Sequence, residues 1–212
     1  MVAQSSRIAH CDTAATLSLC EQKKNIGHHG MSGPYDPRAI ANLLLEIAEE
    51  EDVAVTHVAL QKLIYFAHGT KLMQSRSPLV SGNFEAWQHG PVHPAVYSSF
   101  KSAGADAIRF RAVSRDALTG KETPLPTPED GDVRSLIRQV LIAYGKMSPW
   151  LLVDISHAPG GPWATVKHKT GTAVAFGNRI SDSVIIERFK HHKVSVGAPL
   201  RAGDPHEDSP LT

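Results

Sequence analysis

The sequence predicts a mainly α fold: a compact multi-helix domain with a minor short β element and disordered termini. Three observations predict it. Apolar residues recur every three or four positions in several separate stretches, the period of a helix with one buried face. Most of these stretches follow an Asp, Thr or Ser, often with Pro next, the residues that cap and open helices. The two ends are instead polar or rich in Gly, Pro and Asp, with no sustained period.

Each element has its own signal. Asp36-Pro37 caps and opens a first helix with Ile40, Leu43, Leu44 and Ile47 on its inner stripe, fading into Glu49 to Asp52. Thr56 caps a second, with Leu60, Leu63, Ile64 and Ala67 inward, reaching a His68-Gly69 end and extending toward Lys71 and Leu72. Pro94 opens a third, with Val96, Tyr97 and Phe100 inward, His93 as its cap and Gly104 as its stop. Thr127-Pro128-Glu129-Asp130 caps a fourth, whose stripe is Val133, Leu136, Ile137, Val140, Leu141 and Tyr144, ended by Gly145. Ser148-Pro149 starts a fifth, from Trp150 to Ile155, and Ser181 caps a sixth through Val184, Ile185 and Phe189. Strand signals are weaker, at Phe84–Gln88, Ile108–Val113 and Lys167–Ala175. Residues 114–127, with three prolines and no apolar period, read as a flexible connection, and Gly160-Gly161 reads as a rigid turn. The organisation expected is a disordered extension over residues 1–33, one domain over 34–193 and a disordered tail over 194–212. Met31 precedes the first ordered stretch, so translation from Met1 or from Met31 is left open.

Composition narrows the class. A net charge of +1 gives no global electrostatic case for nucleic acid, and only a local patch such as Arg179 to Lys193 would make one. No run has the length of a transmembrane helix, and no signal-peptide pattern opens the chain. The two cysteines, Cys11 and Cys20, both lie before the domain, which fits a reducing cytoplasm and leaves no zinc scaffold. No cofactor fingerprint is present, neither a phosphate-cradling loop nor a dinucleotide motif.

The chemistry-bearing residues cluster around two turns. His89-Gly90-Pro91-Val92-His93 holds two histidines four apart, but Gly-Pro between them forbids the continuous helix a two-His metal face needs. A small hydrolase or metal enzyme using His68, His89, His93 or His157 is therefore the secondary reading. Trp87, His89, Val92 and Tyr97 flank the Gly90-Pro91 turn, and His157 and Trp163 flank Gly160-Gly161. These six are the candidate partner-binding residues, because Trp and Tyr anchor interfaces. The two turns are expected to meet beside a groove. Glu46 and Glu49 to Asp52 form an acidic helix end, opposed to the helix dipole, that invites a basic partner.

The same blocks carry a resemblance. Asp36 to Asn42, then Leu60 to Gly69, then Ala86-Trp87 with Gly90-Pro91-Val92 and Val96-Tyr97, then His157 with Pro162-Trp163, follow in order. The helix around Ile185, Ile186 and Phe189 completes the likeness. Together they resemble the Panacea domain, the SocA-like antitoxin family, over roughly residues 35–190. The resemblance implies a non-enzymatic cytoplasmic antitoxin that binds a cognate, SocB-like toxin protein. It further implies an adaptor that hands the toxin to the ClpX unfoldase of ClpXP. A plain sequestering inhibitor is the alternative within the same class. The N-terminal extension departs from the family pattern, and direct nucleic-acid binding is not expected because no helix-turn-helix domain is evident.

Overall fold

A computed structural model describes residues 33–170 and 178–192, which contain seven α-helices, five short strands and two 3₁₀ turns. The helices are α1 (Pro37–Glu50), α2 (His57–Ser75), α3 (Pro94–Phe100), α4 (Gly131–Tyr144), α5 (Pro149–Ser156), α6 (Pro162–Thr170) and α7 (Asp182–Arg188). The strands are β1 (Phe84–Trp87), β2 (Gly90–Val92), β3 (Val113–Arg115), β4 (Glu122–Pro124) and β5 (Arg179–Ile180). They form an antiparallel sheet in the order β2-β1-β5 and a separate β3-β4 hairpin. The expected disordered segments 1–32 and 194–212 lie outside the described residues.

The helix starts follow the caps. Asp36 accepts the Arg38 N–H at 2.8 Å, Thr56 the Ala59 N–H at 3.3 Å, Ser148 the Leu151 N–H at 3.2 Å and Ser181 the Val184 N–H at 3.4 Å. Asp130 caps α4 by accepting from Asp132 and Val133, and takes a third bond from the Tyr35 hydroxyl at 3.0 Å. His93 occupies the N-cap position of α3 but does not cap it, because its ring turns inward to the Ser81 carbonyl at 2.9 Å.

Helix α2 is the axis of the domain. It packs against α1, α3, α4, α5, α7 and β2, so it is buried on nearly every side. Leu60, Leu63 and Ile64 are fully buried, and so are the polar Gln61 and Lys62. The helix does not stop at His68-Gly69 but runs to Ser75, where Arg76 takes a left-handed conformation with φ of 59°. Gly69 is needed for close packing rather than for termination, since a Cβ there would overlap the Phe189 ring. Phe189 and His192 close over Tyr65, with ring centroids 6.0 and 5.6 Å away.

Four expectations are corrected. The Ile108–Val113 segment is not a strand up to its last residue. Its Ile108 N–H bonds the Val55 carbonyl at 2.9 Å, and both backbone groups of Ala112 are taken by the Asn42 side chain at 2.8 and 2.9 Å. The supposed flexible connection 114–127 carries most of the β3-β4 hairpin, because Asp116 and Gly120 close a tight turn. Lys167 to Thr170 end helix α6 instead of starting a strand, and residues 171–177 lie outside the described residues. Helix α6 went unread although Gly161-Pro162 carries the Pro-at-first-position signal used elsewhere.

The acidic end of α1 is also not a vacant patch for a basic partner. Arg134 bonds Glu46 at 2.8 Å and also Glu50, while Arg138 bonds Glu50 at 2.7 Å and also Glu51. Arg111 takes Glu49 at 2.7 Å. The acids that oppose the α1 dipole are thus matched by arginines of α4, and the Arg138 guanidinium holds the Glu50 carboxyl below its ordinary range. The basic run toward the C-terminus is interrupted likewise. Arg188 pairs with Glu187 at 2.7 Å, and His192 packs inward on Phe189 at 4.8 Å.

Burial sets a pH dependence. Desolvation pulls the His93 and His192 imidazoles below their ordinary value of 6.5. The folded state therefore prefers both rings neutral. Their contribution is fully present above about pH 6.5 and is lost as pH falls toward the lower folded values. Asp36, held down first by the Arg38 side chain, adds a second loss below the ordinary carboxylate range. The thermal midpoint is expected to fall between pH 7 and 5, and His192→Gln is expected to flatten that fall. An unchanged midpoint across this window would contradict the assignment.

Candidate functional site

The site is built on the β1-β2 hairpin and the start of α6. Two buried side chains of α2 set the hairpin's path. Gln61 Oε1 accepts the His93 N–H at 2.9 Å, and Lys62 Nζ donates to the Pro91 carbonyl at 3.2 Å. Gly90 permits this approach. Its φ is +102°, and a Cβ there would lie 2.5 Å from Ser156 Oγ and 3.2 Å from Lys62 Nζ. Val92, fully buried, anchors the hairpin in the core and supports the site from beneath.

The aromatic residues then line up. Trp87 and Tyr97 meet edge to face with centroids 4.7 Å apart, and Tyr97 also lies 5.0 Å from His57. Glu85, two residues before Trp87 on the same strand face, accepts its Nε1–H at 2.9 Å. Trp163 Nε1 donates to the Trp87 carbonyl at 2.8 Å, which joins the first turn to the second. His157 stacks on Trp163 at 3.7 Å with only 12° between the rings. Lys167, one helical turn after Trp163, sits over the indole at 5.9 Å. His89 reaches a different ring, Trp150 of α5, at 5.5 Å.

The structure therefore brings together Trp87, Tyr97, His157 and Trp163 in one row, with His89 beside Trp150 and Val92 below. Tyr97, Trp150, His157 and Trp163 are half-buried, whereas Trp87 is only 9% exposed. Sequence reasoning missed His57, Trp150 and Lys167 as members of this face. It also missed Gln61 and Lys62 as the residues that position it. Helical spacing from Trp163 would have found Lys167; nothing local marks Lys62 as a buried cation.

The histidines are distributed among separate structural tasks. His68 Nε2 faces Asp182 at 3.0 Å, and its Nδ1 accepts from the Val80 N–H at 3.4 Å, so α2 is tied to the start of α7. His68 and His93 flank the Phe84 ring at 5.2 and 5.3 Å. Among the described residues no three His, Cys, Asp or Glu side chains are grouped to hold a metal ion. No helix among them is long and apolar enough to cross a membrane. Aromatic faces with a cation over one indole suit recognition of a protein surface rather than proton transfer at a defined atom.

Comparison with known proteins agrees with the blocks read above. Residues 60–164 match the family model described as Antitoxin SocA-like, Panacea domain. The chain is 46% identical over 175 residues to Antitoxin SocA of Caulobacter vibrioides (strain NA1000 / CB15N), covering 82% of this chain and 93% of that protein. No solved structure matches it.

Proposed function

Because the chain belongs to the SocA-like antitoxin family of Panacea domains, we propose that it is a cytoplasmic antitoxin that binds and neutralises a cognate toxin protein. The observation that carries this reading is the 46% identity to Antitoxin SocA across nearly the whole of that protein. The geometry supports a binding rather than a chemical mode of action. The Trp163–Trp87 hydrogen bond holds two turns in one aromatic row, and a pre-formed row loses little conformational entropy when a partner docks. Trp87, Tyr97, His157 and Trp163, with His89 and Trp150 beside them, are the contacts we assign to the toxin. Val92 maintains the surface without touching it.

The same proposal extends to delivery of the toxin to ClpXP through ClpX. An inhibitor must cover its toxin mole for mole. An adaptor instead raises the toxin concentration at the unfoldase, and tethering gains roughly 10²–10⁴ in apparent affinity without new toxin contacts. The acidic end of α1 no longer serves as a free docking patch, since Arg134 and Arg138 occupy it. The unfoldase contact therefore belongs elsewhere on the chain.

The test is a reconstituted degradation assay. Purified toxin and ClpXP are expected to give toxin loss that speeds at least about tenfold when this protein is added at one-tenth the toxin concentration. The protein should be recovered intact. Toxin suppressed by binding while its degradation rate stays unchanged would remove the adaptor step and leave a sequestering antitoxin.

A further inference from the structure

Three of the five large apolar side chains exposed among the described residues, Phe110, Val113 and Leu118, fall in one stretch leading to the tip of the β3-β4 hairpin. Concentration of this kind marks an interaction surface more than scatter does. Leu118 is 96% exposed at the tip itself. The tip is nevertheless rigidly organised. Asp116 Oδ1 accepts from the Leu118 N–H at 2.9 Å, the Thr119 N–H at 2.7 Å and the Thr119 hydroxyl at 2.9 Å. Gly120, at φ +67°, donates back to the Asp116 carbonyl at 2.9 Å.

The base is fixed too. Asn42 of α1 brackets Ala112 with two hydrogen bonds, and Phe110 stacks on Phe100 at 5.7 Å. Between base and tip, Val113, Arg115 and Glu122 to Pro124 are all exposed, so the hairpin buries almost nothing of its own. A two-stranded ribbon of this kind has little intrinsic stability in water. Bracing it at both ends while leaving a leucine fully in solvent has no packing rationale. Its charge is biased as well. Glu122 pairs with Arg115 and Asp116 is spent on the turn, whereas Lys121 and Arg109 have no carboxylate partner among the described residues.

We infer that the β3-β4 hairpin is a docking arm that seats Leu118 in an apolar pocket, rimmed by acidic groups, on the toxin. It adds a second toxin contact to the aromatic row and rests on the antitoxin reading above. The pre-formed tip presents leucine without ordering a loop, and Lys121 with Arg109 supplies the complement to the acidic rim.

The test uses the full-length protein and its cognate toxin in titration calorimetry, with melting of the free protein as control. Leu118→Asp and Lys121→Glu alter solvent-exposed groups, so both are expected to melt within about 2 °C of the parent. Leu118→Asp is expected to weaken toxin binding about tenfold or more. Lys121→Glu should weaken it several-fold at low salt and by less at high salt. Parent-like affinity in both variants, with the parent binding toxin well, overturns the arm alone. Unchanged toxin affinity with lost ClpX binding would assign the arm to the unfoldase and overturn the toxin assignment. Failure of the parent itself to bind toxin would overturn the antitoxin reading, and the arm with it.

Discussion

Leu63→Ala is expected to lower the folding free energy by about 2–5 kcal/mol, because Leu63 is fully buried at the middle of α2, where the surrounding helices leave no room to collapse around a void. For a domain of this size that corresponds to a fall of roughly 4–20 °C in thermal midpoint. Typical domains hold only about 5–15 kcal/mol in total, so much of the protein in a cell would be lost to unfolding and proteolysis. Antitoxin activity should fall through abundance, and growth at lower temperature should restore part of it. Purified folded Leu63→Ala should still bind toxin with parent-like affinity. A variant of unchanged stability that no longer neutralises toxin would instead place Leu63 at a contact, against its burial.

The same residue shows what was legible in the chain. Leu60, Leu63 and Ile64 announce α2 by spacing, and Asp36, Thr56, Ser148 and Ser181 announce helix starts by their side-chain oxygens. These are local signals, and local structure answers to them. The length of α2 was not legible, because Gly69 reads as a stop while its real task is to admit Phe189 from far along the chain. The β3-β4 hairpin was hidden for a related reason. Its strands are exposed on both faces, so no apolar alternation marks them, and only the Asp116–Gly120 turn organises it. The pairing of Glu46, Glu50 and Glu51 with Arg134 and Arg138 joins residues almost ninety positions apart, which no run of charge can show.

The candidate site was half legible. Trp87, Tyr97, His157 and Trp163 stand out because large aromatics beside Gly-Pro turns are costly to place without a use. What the sequence does not carry is the contact that unites them, since Trp163 reaches a backbone carbonyl and not a side chain. Val92 shows the limit from the other side. Its neighbours made it a candidate contact, whereas its burial makes it part of the support.

Trp163→Ala is expected to weaken toxin binding by about 2 kcal/mol or more, near 30-fold. One truncation removes three features of the row: the bond to the Trp87 carbonyl, the stacking surface under His157 and the seat of the Lys167 cation. The first two also support the fold. A hydrogen bond contributes about 1 kcal/mol and a stacked ring pair about 0.5–1.5 kcal/mol, so some loss of stability must accompany the change. The two effects separate by measuring affinity well below the melting temperature, where the variant is fully folded. A contact role predicts that the 30-fold loss persists there. Trp163→Phe refines the comparison, because it keeps an aromatic face for His157 and deletes only the indole N–H. It should recover much of the toxin affinity if the ring face is what the toxin meets, and little of it if the Trp87 bond is what shapes the site. Parent-like affinity of folded Trp163→Ala would assign the whole row to scaffolding and move the toxin contact away from these two turns.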